Sequence, residues 1–83
     1  MDTAAEDIRQ LVEFMVVSLV DDKESVNVDA ELDGSSLSIR IDAPADEVGK
    51  VIGRQGRVIK SIRTLARAAA TRKDLMVDVD LSD

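Results

Sequence analysis

The tetrad Gly53-Arg54-Gln55-Gly56 interrupts what would otherwise read as one long helix. Apolar residues recur at helical spacing on both sides of it, while paired glycines favour backbone conformations with φ > 0 that a helix cannot contain. A short helix must therefore run into Gly53, stop, and give way to a longer helix from about Arg57 to about Thr71. Pro44 bounds the short helix upstream, and Asp46 and Glu47 fall in its first turn, where acids favour the helix dipole. On a wheel of about 100° per residue, Val58, Ile59, Ile62, Leu65, Ala66 and Ala69 of the longer helix share one side. Arg57, Lys60, Arg63 and Arg67 share the other.

The remaining segments supply what these helices pack against. "VNVDAEL" (26–32), "LSIRID" (37–42) and "LMVDVDL" (75–81) each alternate apolar and polar residues, as strands with one wet face do. "DGSS" between the first two is a turn-former, so they predict an antiparallel hairpin. The third follows the second through a helical crossover, which predicts a parallel neighbour. Ahead of them, Thr3-Ala4-Ala5-Glu6 fits a capping box. Ile8, Leu11, Val12, Met15, Val16 and Leu19 then form an apolar helical stripe. Phe14, Val17 and Val20 fall off that stripe, as either a widened core contact or a partner surface. The expected fold is α+β, with order α-β-β-α-α-β. Three helices pack on one face of a three-stranded mixed sheet, and the other face is acidic and solvated.

At 83 residues the chain suits one domain, 1–83, with a stability on the order of 4–12 kcal/mol. It has no Cys, His, Tyr or Trp, and Phe14 is its one aromatic. Disulfide, thiolate and imidazole chemistry are thereby excluded. The acids alternate with core residues on strands and gather around no cation or nucleophile, so an enzyme is not expected. Asp78 and Asp80 on an exposed face read as solvating groups, and no metal or cofactor is implied. The longest apolar runs fall far short of the ~20 residues that span a bilayer. The acidic N-terminus lacks signal-peptide order, which makes the cytoplasm the expected location.

The formal net charge of −6 conceals a sharp division. Residues 50–73 hold eight of the 11 bases and none of the 17 acids. "GKVIGRQGRVIK" (49–60) lies within this basic segment. Glycines there admit a ligand close to the backbone, and the first amides of a helix, with its dipole, suit an anion. Arg54 adds a cation at the tip. The spacing is neither the GxxxxGK[ST] of a P-loop nor the GxGxxG of a dinucleotide site. A GxxG between two helices, with bases around it, suits a nucleic-acid backbone better than a mononucleotide.

At these residues the chain resembles the KH domain, whose motif VIGxxGxxIxxI matches Val51 to Ile62. The element order resembles the type II arrangement of that fold. Length and layout over nearly the whole chain resemble the small bacterial single-KH proteins of the KhpA family. The resemblance implies that Gly53, Arg54, Gln55 and Gly56 clamp the backbone of about four unpaired nucleotides of RNA. It also implies that bases lie in an apolar groove. Val48, Gly49, Ile52 and Val58 match that groove, with Ile41 a candidate for its wall. Lys50, Arg57 and Lys60 are the further phosphate contacts suggested by charge and position. For each an ordinary role stands beside this one: Ile52 and Val58 as core, Gly49 as a close helix contact, Arg63 and Arg67 as solvated surface.

With no aromatic near the loop, the stacking worth ~1–3 kcal/mol per base in other single-strand binders is missing. A lone domain should bind weakly, and a second linked site would supply avidity. Neutralising about four phosphates predicts a log–log salt slope of roughly −3. The resemblance also implies homodimers, a larger KH-containing partner of the KhpB type, and work as an RNA chaperone or post-transcriptional regulator linked to cell-wall synthesis and cell shape. The alternative reading is an interaction module whose GxxG face meets a protein. RNA and single-stranded DNA stay unresolved by sequence.

Overall fold

The computed structural model describes residues 3–82. Helix α1 (Thr3–Val17) is followed by strands β1 (Asn27–Asp33) and β2 (Ser36–Asp42), helices α2 (Ala45–Ile52) and α3 (Arg57–Thr71), and strand β3 (Met76–Ser82). The strands form one sheet in the order β1-β2-β3, with β1 antiparallel and β3 parallel to β2. Asp33 pairs with Ser36 across a two-residue turn in which Gly34 takes φ +63°. A positive φ at that position lets so tight a hairpin close.

One sheet face carries the core. Val28, Leu37, Ile39, Ile41, Val77 and Val79 meet Ile8, Val12 and Val16 of α1, Val51 of α2, and Ile59, Ile62 and Ala66 of α3. The intervening strand residues, including Asp29, Glu31, Asp78 and Asp80, are exposed. Both edge strands are blunted in the same way. The Arg9 guanidinium donates to the Val28 carbonyl of β1 at 3.2 Å, and the Arg63 Nε donates to the Val79 carbonyl of β3 at 2.9 Å. An edge carbonyl taken by a helix side chain is no longer open to pairing with another strand.

Several local expectations change. Thr3 lies inside α1, and the Glu6 carboxylate accepts from Arg9 at 2.9 and 3.0 Å instead of closing a capping box. Leu19 is on the helical stripe but half-exposed, because α1 ends at Val17 and the wheel no longer applies. The chain turns there, and off-stripe Val20 enters the core in its place. Leu65 is 53% exposed, since α3 lays the line Ile59-Ile62-Ala66-Ala70 on the sheet and Leu65 sits at the edge of that line. Ile41 is 0% exposed and belongs to the core, not to any groove wall.

Candidate nucleic-acid interface

The break between α2 and α3 is a single 3-10 turn, Arg54–Gly56. Gly53 takes φ 76°, ψ 172°, which turns the chain out of α2 after its own amide has bonded to Gly49 O at 2.9 Å. That backbone region is essentially reserved for glycine. Space enforces the same choice, because a Cβ on Gly53 would lie 2.3 Å from Val58 Cγ2 and 2.9 Å from Val58 N. Val58, half-buried at the start of α3, is the wedge that holds the loop against the domain. Gly56 (φ 73°, ψ 17°) is left-handed too, but a Cβ there would meet open space.

Between the glycines, Arg54 is helical and Gln55 is left-handed (φ 58°, ψ 24°). A right-handed residue followed by a left-handed one turns successive amides toward a common concavity that suits an anion. Not every amide at the start of α3 is free for this. The Gly56 amide donates to Gly53 O at 3.1 Å and the Arg57 amide to Arg54 O, so the turn itself consumes two donors expected to be open. Arg57 also donates through Nη2 to Gln55 Oε1 at 3.0 Å, steadying the loop tip. The Arg54, Arg57 and Lys60 side chains project into solvent.

On the α2 side, Gly49 is exposed and a Cβ added to it would touch nothing within 4 Å. Close helix packing therefore does not explain that glycine. Ile52, 37% exposed, flanks the loop on the same helix. Further along α3 a groove of about 410 Å³ opens between that helix and edge strand β3. Lys60, Arg63 and Arg67 line one wall, and Asp78, Val79 and Asp80 line the other. Arg63 is half-buried and pinned on Val79 O, whereas Arg67 stays more exposed, 4.0 Å from Asp78.

Lys50 stands apart from the other cations. Its Nζ lies 2.7 Å from both Asp21 Oδ2 and Glu47 Oε1. Glu47, only 4% exposed, also accepts from the Asp22 amide at 2.7 Å and from the Asp21 amide at 3.4 Å. The Lys50 ammonium, aided by the Asp22 and Asp21 amides, holds the Glu47 carboxyl below the usual carboxylate range. Asp21 and Glu47 together raise Lys50 above its ordinary value. Charge and position alone predict Lys50 as a phosphate contact. The structure places it in a tie that fastens α2, and with it the loop, to the segment after α1. The i, i+3 spacing of Glu47 and Lys50 was the available signal for half of this; Asp21, 29 residues from Lys50, gave none.

Among the described residues no helix is long and apolar enough to cross a membrane. The family model "KhpA/KhpB, KH domain" matches residues 9–81. The RNA-binding protein KhpA of Halalkalibacterium halodurans is 41% identical over 76 residues, covering 92% of this chain and 100% of that protein. The RNA-binding protein KhpA of Clostridium perfringens is 39% identical over 74 residues, covering 89% and 99%. Among solved structures, Aquifex aeolicus Era bound to GDP.AlF4- superposes with TM-score 0.63 at 16% identity, covering 99% of this chain and 32% of Era. Era in complex with MgGDPNP and nucleotides 1506-1542 of 16S ribosomal RNA gives TM-score 0.60 at 18% identity, covering 90% and 30%. The chain thus spans about a third of Era, and at such identity the likeness concerns the fold. With a type II KH topology, a GxxG turn between α2 and α3 and these relatives along almost its whole length, the chain belongs to the KhpA/KhpB KH-domain family.

Proposed function

We propose that the domain binds single-stranded RNA, seating the sugar-phosphate backbone on Gly53-Arg54-Gln55-Gly56 and the bases along the surface flanked by Gly49 and Ile52. The observation that carries this is the right-handed/left-handed pair Arg54-Gln55, set at the start of a helix and surrounded by exposed cations. An exposed glycine with empty space over its Cα, one helical turn before the loop, supports the same reading. Arg54, Arg57 and Lys60 supply the phosphate contacts; Lys50 contributes by fastening α2. Val58 acts from beneath, as the wedge that fixes the loop.

Binding by one domain is weak, on the order of micromolar, because no aromatic stacks on the bases. A pair of domains overcomes this by avidity. The chain accordingly works as a homodimer or with a larger KH-containing protein of the KhpB type. Within the cytoplasm such a pair acts as an RNA chaperone or post-transcriptional regulator, with cell-wall and cell-shape homeostasis the pathway that its family resemblance suggests.

The double substitution Arg54→Asp with Gln55→Asp tests the site. It places two carboxylates where a phosphate would sit, at exposed positions outside the core. Loss of RNA binding with an unchanged melting temperature is expected. Unchanged affinity would reject the loop as the clamp. Retained RNA binding together with loss of a protein partner would favour the reading in which this face is a protein interface.

A further inference from the structure

Arg63 carries a guanidinium that is anchored but only partly used. The residue is half-buried, and its Nε donates to the Val79 carbonyl of β3 at 2.9 Å. No described residue takes Nη1 or Nη2. A guanidinium held through Nε keeps a second edge, Nη1 with Nη2, whose parallel N–H groups match two adjacent acceptors. The strand has already fixed that side chain, so little freedom remains to be lost when a ligand meets the edge. Arg63 lines the groove of about 410 Å³ between α3 and β3.

The opposite wall carries the reverse chemistry. Asp78 and Asp80 are exposed acceptors on β3. Asp78 stands 4.0 Å from Arg67, whereas Asp80 has no ion pair among the described residues. The carboxylates disfavour a phosphate in the groove, and the cations of α3 disfavour a basic group. A ligand that satisfies both walls is therefore neutral, with two adjacent acceptors on one edge and two adjacent N–H donors on the next. Among RNA bases only guanine has both. It offers O6 and N7 to a guanidinium, and N1–H with its 2-amino group to a carboxylate. Adenine sets a donor beside N7, uracil has one ring N–H between two carbonyls, and cytosine offers a carboxylate a single amino group.

We infer that this groove reads guanine, with Arg63 donating to O6 and N7 and Asp80 accepting from N1–H and the 2-amino group. The inference rests on the RNA reading above and adds a base preference to it. Arg63 follows Arg57 by six residues, about 9 Å along α3, within reach of a strand seated on the GxxG turn. Arg67, one helical turn further and exposed, offers a guanidinium plane on which an unpaired base can stack where the chain has no aromatic.

Oligouridines of six nucleotides, with one guanine placed at each position in turn, test this by fluorescence anisotropy. One position is expected to bind about tenfold tighter than plain oligouridine, the scale of one good bidentate contact. At that position 7-deazaguanine, which lacks the N7 acceptor, and inosine, which lacks the 2-amino group, should each lose most of the gain. Arg63→Met should abolish the discrimination between guanine and 7-deazaguanine, and Asp80→Asn that between guanosine and inosine. Arg63→Met also strands the Val79 carbonyl, so Asp80→Asn, at an exposed position outside the core, keeps the test independent of folding. Equal affinity for oligouridine and every guanine-bearing strand would overturn the guanine groove while leaving the GxxG clamp in place. A stronger preference for cytosine at the same position, or a guanine preference that survives both substitutions, would overturn it too. Binding of none of the strands would reject the clamp and this inference together.

Discussion

Replacing Gly53 and Gly56 singly by alanine separates two glycines that the sequence presents as equivalent. At Gly53 the new methyl would stand 2.3 Å from Val58 Cγ2, 2.7 Å from Val58 Cβ and 2.9 Å from Val58 N. The last two contacts cannot be relieved by rotating a side chain, so backbone must move. Forcing extra volume into packed surroundings costs about 1–3 kcal/mol, and holding a non-glycine residue at φ 76°, ψ 172° costs about 1–3 kcal/mol more. The sum, about 4 kcal/mol, is a large part of the ~4–12 kcal/mol available to a domain of this size. At Gly56 the methyl meets nothing and only the left-handed backbone resists it, which costs about 1 kcal/mol. Urea denaturation followed by circular dichroism should therefore give Gly53→Ala a much lower midpoint than Gly56→Ala. Adding Val58→Ala to Gly53→Ala should recover part of the loss, because it removes Cγ2 but leaves Cβ and the backbone strain. Equal midpoints for the two single variants would refute the wedge.

Further outcomes follow from the same geometry. Gly49→Ala should stabilise the domain by about 0.5–1 kcal/mol, since a helical alanine replaces a glycine in open space, yet weaken RNA binding; unchanged affinity would remove Gly49 from the interface. Lys50→Met should leave RNA affinity within about twofold, because both of its carboxylate partners already hold it, while lowering the melting temperature. The Glu47 pKa is depressed in the folded state, so its contribution to stability is full above the unfolded carboxylate pKa and is lost as pH falls through the lower folded value. Removing the Lys50 ammonium should therefore move the acid-unfolding limb to higher pH, and melting curves between neutral and acid pH would read the shift. With Lys50 engaged, about three cations remain for phosphates, so the log–log salt slope should be roughly −2, not the −3 that four contacts would give.

What the sequence disclosed and what it withheld divide along physical lines. Strand alternation, the apolar stripe of α1 and the GxxG break are local signals, and they located the three α-helices and the three strands to within a few residues, though not the 3-10 turn Lys23–Ser25. The sheet order followed from chain connectivity. Leu65 and Leu19 were misplaced because a wheel gives the direction of a side chain but not the width of the surface it packs on, nor the residue at which the helix ends. Lys50 was read by its charge and its nearness to the loop. Its partners are fixed by the fold, which brings Asp21 from the end of α1 to the side of α2. Arg63 looked like solvated surface for the same reason: only the position of β3 beside α3 gives its Nε the Val79 carbonyl. The conformation of Gln55 was also out of reach, since nothing marks a glutamine for φ 58° except the glycines beside it.

An NMR titration of the 15N-labelled chain with a short single-stranded RNA tests the clamp most directly. The amides of Gly53, Arg54, Gln55 and Gly56 should shift first and furthest, with Gly49, Ile52, Arg57 and Lys60 following and the acidic sheet face silent. Shifts confined to the Phe14 and Leu65 face, with the four loop amides unmoved at saturation, would contradict it.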